Sequence, residues 1–187
     1  MVPLLSLWLP IVLSAVLVFV ASSVIHMLLG YHRSDFRSLP REEAVGAALR
    51  DADVPPGDYA MPYAGSMKAM SSPEFIERMN RGPVALITVR RPGPPKMGQT
   101  LALWFGLILV VSIFAAYLAS RAAGPDADLK HVFRMAATTA FVAYALGTWT
   151  ESIWFNRKWS TTVKNTVDGL IYALLTGAVF AWLWPGA

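Results

Sequence analysis

Five side chains in this sequence have the chemistry to bind or move a cation: His26, His32, His131, Glu151 and Asp168. Imidazoles and carboxylates ligate divalent metals and carry protons near neutral pH. Their places along the chain decide what they could do together. His26 and His32 fall at the inner end of a first apolar run, and His131 falls at the outer end of a later one. Three imidazoles divided across ~30 Å of bilayer cannot close on one ion, so neither a metal centre nor a haem is expected. Glu151 and Asp168 sit at the same end of the last hairpin, with His26, Ser22 and Ser23 at a matching depth. Ionisable groups near a membrane span are costly and are kept with partners, so Glu151, Asp168 and His26 could hold a cation or relay a proton. The alternative is structural. Asp168 would pair with Lys164 one turn earlier, and Glu151 with a basic residue of the turn at Arg157 and Lys158.

Other chemistry finds no support. The chain has no cysteine, which excludes disulfides, thiolate metal sites and cysteine nucleophiles. No phosphate-cradling glycine loop, nucleophile elbow, catalytic carboxylate pair or HExxH run occurs, so no cofactor and no enzymatic activity are expected.

The elements that must position these groups are apolar. Of 187 residues, 55% are hydrophobic and 15% charged, where soluble domains carry about 25% charged residues. The deficit is concentrated in long runs, which points to lipid rather than a large soluble core. Residues 1–30 contain the first, free of charge throughout. No Lys or Arg precedes it and it is longer than a signal core, so it reads as a span and not a cleaved leader. Residues 99–187 read as three more spans, at about 99–121, 129–152 and 164–184. The fold class is therefore an all-α membrane protein. Four transmembrane helices carry a small mixed α/β cytoplasmic insert, 31–98, between the first and second.

Within the insert, Ser38 to Glu43 reads as a helix start running to about Asp51. Ser71, Pro73 and Glu74 signal the capped start of another, and Val84 to Val89 reads as a strand. The best partner for that strand is Tyr59 to Tyr63, where Pro62 removes a donor, so completion by another chain is expected.

Small residues recur every four positions on two spans, as Gly169, Ala173, Gly177 and Ala181 on the last and Ser112, Ala116 and Ser120 on the second, and Ala136, Ala140, Ala143 and Gly147 give the third another small face. Such stripes let helix backbones approach closely. Lys and Arg cluster on the side of the insert and the last basic turn, which places both termini outside the cytoplasm. Arg33, Arg37, Arg90 and Arg91 are placed to meet anionic lipid headgroups. The net charge of +4 flanks spans rather than a soluble surface, so nucleic acid is not an expected partner.

The expected function is association in a bacterial inner membrane, as a homo-oligomer or as an accessory or scaffold subunit of a larger complex. A small channel or transporter with an inner-leaflet acidic site is the alternative.

Overall fold

The computed structural model describes residues 2–186 and is mostly helical. It divides into two compact units, one of Met1–Arg37 with Lys96–Ala187 and the other of Ser38–Pro95.

The first unit begins with a continuous helical stretch, Leu4–Leu28. It opens with a 3-10 turn and runs as α1 (Trp8–Ser23), with Pro10 inside the first turn, where a missing donor costs little. It closes with a π-helical turn, Val24–Leu28, in which the Leu29 amide donates to the Val24 carbonyl. Gly30 then adopts a left-handed conformation (φ 65°), open to glycine without steric cost, and the chain turns into a 3-10 segment, Tyr31–Asp35. Further along come α5 (Met97–Ala122), α6 (Leu129–Ala145), α7 (Trp149–Phe155) and α8 (Trp159–Trp182). Leu4–Leu28 and Met97–Ala122 are the two stretches, among the described residues, long and apolar enough to cross a membrane. Only 28% of each apolar window is buried, so most of their apolar side chains face outward.

The third expected helix, 129–152, is interrupted. α6 stops at Ala145, a 3-10 turn covers Leu146–Thr148, and α7 follows. The hydroxyls of Thr148 and Thr150 donate to the carbonyls of Ala145 and Gly147, both at 2.7 Å, and compete with the helical ladder there. The last helix starts earlier than the expected 164, at Trp159, after Asn156 turns the chain in the left-handed region (φ 52°).

The small-residue stripes pack inside this chain. A Cβ at Gly177 would stand 2.8 Å from Ala137 Cβ of α6, so α6 and α8 meet at close range there. Ala173 is buried with Ala140, Tyr144 and Val18, while Ala181 is only partly covered. Ser112, Ala116 and Ser120 of α5 are all buried, and Ser14 of α1 donates to Ser112 at 3.1 Å.

In the second unit, α2 (Glu42–Asp51) is followed by strand β1 (Gly57–Met61), α3 (Met67–Met70), α4 (Pro73–Arg81) and strand β2 (Ala85–Val89). The expectation of an unpartnered strand is overturned. β1 and β2 pair antiparallel within the chain, from Gly57 opposite Val89 to Met61 opposite Ala85. The pairing ends one residue before Pro62, so the missing proline donor never enters the ladder. Thr88 donates to Asp58 across the pair at 2.7 Å. The helix cap is also displaced by one residue: Ser72, not Ser71, accepts from the Phe75 amide at 3.2 Å, with Pro73 at the first helical position.

Candidate functional site

The residues that converge come from the end of the first helical stretch, the 3-10 segment after Gly30, and the first half of α8. His26 lies in the π turn, where the wider ring changes the direction in which the following side chains project. His32 and Asp35 lie one turn apart on the 3-10 segment. Asp168 is buried on α8 at the level of Tyr31 and His32.

The side chains form a connected network. Lys164 Nζ donates to Asp35 Oδ1 at 2.8 Å, to the Tyr31 carbonyl at 2.7 Å and to Ser34 Oγ at 2.8 Å. Thr161 donates to the same Asp35 oxygen at 3.2 Å. His32 Nδ1 stands 2.6 Å from Asp35 Oδ2, and its Nε2 stands 2.8 Å from Asp168 Oδ2. His26 Nε2 approaches that same Asp168 oxygen to 4.0 Å, and the two imidazole centroids lie 4.4 Å apart. The Tyr31 hydroxyl donates to the other Asp168 oxygen. Burial opposes ionisation of Asp35, but the hydrogen bonds from Lys164, His32 and Thr161 and the Lys164 charge outweigh it and hold its pKa at about 2.

Two further contacts tie the 3-10 segment to the start of α8. Lys158 Nζ donates to the Ser34 carbonyl at 3.0 Å, and the Arg157 guanidinium sits 5.6 Å from the centre of the Phe36 ring.

A cavity of about 330 Å³ opens beside His26 and Asp168, and Trp104, Tyr144, Asn165 and Tyr172 share its lining. Tyr144 and Tyr172 meet edge to face with ring centres 5.5 Å apart, each 6.3 Å from Trp104. Trp104 is fixed in turn by donating to Ser22 at 2.9 Å. The buried hydroxyls of Tyr144 and Tyr172 have no hydrogen-bond partner among the described residues.

Of the residues singled out in the sequence, Asp168 and His26 come together and Glu151 does not join them. Glu151 is exposed on α7, and among the described residues no hydrogen bond or ion pair links it to either. The alternative pairing of Asp168 with Lys164 is also not formed, because the ammonium is taken by Asp35. His131 stands apart, its Nε2 3.3 Å from the Ala122 carbonyl. Sequence reasoning missed Tyr31 and Asp35, and placed His32 beside His26 without joining it to Asp168. The available signal was a left-handed glycine directly after an apolar run, followed by a Tyr-His pair and an acid three residues on. Arg33, Arg37, Arg90 and Arg91 are all exposed, two in each unit.

The arrangement is two imidazole nitrogens and one carboxylate oxygen directed at one point, with an ionised acid behind one imidazole and a cavity in front. It is suited to holding a cation. No protein-family model, no curated protein and no solved structure matches this chain.

Proposed function

We propose that this protein is a small multi-pass membrane protein that binds and hands over a cation at Asp168, as a channel or transporter. The observation that carries the reading is Asp168 itself: a buried carboxylate, faced by two histidines, at the mouth of a cavity. Buried acids among apolar helices are costly and mark ion or proton pathways more often than structural contacts. Four spans are supported by the outward-facing apolar surface of Leu4–Leu28 and Met97–Ala122 and by the packing of α6 and α8 against them. The proposed setting is a bacterial inner membrane, with both termini on the periplasmic side and 38–95 on the cytoplasmic side, following the Lys and Arg distribution.

The test is cation flux into proteoliposomes, followed with pH-sensitive and metal-sensitive dyes. Asp168→Asn abolishes flux while leaving the protein monodisperse, and Glu151→Gln leaves flux intact. A native protein that moves neither protons nor metal, or an unaltered Asp168→Asn variant, overturns the reading.

Association as an accessory subunit or homo-oligomer is a second reading. The glycine and serine stripes are occupied within the chain, so its support rests on the two-stranded sheet, whose outer edges have no partner strand among the described residues.

A further inference from the structure

We propose that His26, His32 and Asp168 form a binding site for a divalent first-row transition-metal ion. The inference rests on the reading of Asp168 as a cation site and names the class of cation.

Three observations carry it. The first is convergence: one donor atom from each of the three residues lies within 4.8 Å of the other two. A proton joins two atoms, whereas three donors gathered on one point suit an ion with several coordination positions. The spacing is close to what such an ion imposes. Ligands about 2.0–2.1 Å from a tetrahedral ion stand ~3.3 Å apart. His32 to Asp168 at 2.8 Å opens by about half an ångström, and His26 to Asp168 at 4.0 Å closes by a similar amount. Rotation of the half-exposed His26 ring supplies the second movement.

The second observation is the tautomer of His32. Asp35 is ion-paired with Lys164 at 2.8 Å, so its carboxylate accepts and Nδ1 of His32 carries the proton. Nε2 then faces Asp168 Oδ2 at 2.8 Å, a contact that one proton or one metal ion can bridge, while the other oxygen of Asp168 accepts from the Tyr31 hydroxyl. A carboxylate behind the ligating imidazole is also the usual support of a metal-bound histidine, fixing ring orientation and raising basicity.

The third is donor chemistry. Two imidazoles and one carboxylate, with no thiolate, match zinc sites that keep an open position and the three-residue faces that hold Fe(II). Here the open position would face the cavity bounded by Trp104, Tyr144 and Tyr172.

The test uses the full chain purified in mild detergent and Co²⁺ alone as probe, read by visible absorption and by metal content. The expected result is one Co²⁺ per chain, with an absorption band lost on displacement by Zn²⁺. His26→Gln, at a half-exposed position where folding is not at risk, weakens binding by at least about 100-fold, and Asp35→Asn by about 10–100-fold. His131→Gln leaves it unchanged. No saturable Co²⁺ uptake by the folded native chain, or equal uptake by His26→Gln and His131→Gln, overturns the metal site. Proton flux that depends on Asp168 in a chain without Co²⁺ uptake would overturn the metal assignment and leave the cation pathway standing.

Discussion

Gly169 of α8 lies so close to Ala145 of α6 that a Cβ built on the glycine would stand 2.9 Å from the alanine's own Cβ. Gly169 follows Asp168 directly, and Ala145 is the residue at which α6 gives way to a 3-10 turn. The contact therefore pins the buried carboxylate to the point where the neighbouring helix breaks.

Close approach along α8 should be intolerant of bulk. At Gly177 an added Cβ meets Ala137 Cβ at 2.8 Å and the Phe133 ring at 3.0 Å. Gly177→Leu is expected to cost about 1–3 kcal/mol or more, since overfilling a packed contact forces backbones apart. Ala178→Leu, on the exposed side, should be neutral. Thermal unfolding in detergent separates the two, and equal losses would show that the α6–α8 contact is not limiting.

Lys164 ties the 3-10 segment to α8 through three oxygens. Lys164→Met should release residues 31–36 and leave Asp35 without its cation, a loss of about 1–3 kcal/mol. Hydrogen exchange should rise at 31–36 and stay unchanged in the middle of α8. Unchanged exchange at 31–36 would mean that Lys158 and Phe36 suffice to hold the segment.

The helix start at Ser72 gives a prediction with a pH arm. Ser72→Ala should destabilise α4 by about 1 kcal/mol, and Ser71→Ala should not. A hydrogen bond at its own backbone amide and one from Ser72 hold the Glu74 pKa below its ordinary 4.5. A carboxylate with a lowered folded pKa contributes stability that is complete above the unfolded value and is lost as pH falls through the folded one. Helical protection at 73–81 should therefore be flat above pH 4.5 and decline below it. A decline beginning at neutral pH would contradict the capping role.

Topology is open to direct measurement. A reporter after Ala187 should lie outside the cytoplasm and one inserted near Gly65 inside, as the Lys and Arg distribution requires. The reverse pattern would put Asp168 toward the periplasmic side instead.

Much of the helical plan was legible in the sequence because it rests on length and apolarity, which are local properties. Leu4–Leu28 and Met97–Ala122 fall close to their expected bounds for that reason. The break after Ala145 was not legible, since it depends on threonine hydroxyls choosing particular carbonyls. The β1 segment reads Gly-Asp-Tyr-Ala-Met, poor in strand formers, and only its pairing with β2 makes it extended. At the candidate site, matching depth brought His26 and Asp168 into consideration together. Depth along a helix says nothing about which way a side chain points, so Glu151 was grouped with them wrongly. His32 reaches Asp168, 136 positions away, only because the chain reverses at Gly30.

The π turn at Val24–Leu28 gives the first helix one place where its count of residues can change at little cost. A wide turn holds about one residue more than an α turn over the same rotation, so a residue lost within 24–28 would be absorbed as the ring relaxes to ordinary helix. Trp8–Ser23 has no such slack. A residue removed there would turn His26, Tyr31 and His32 by about 100° relative to the buried face of α1, and away from Asp168.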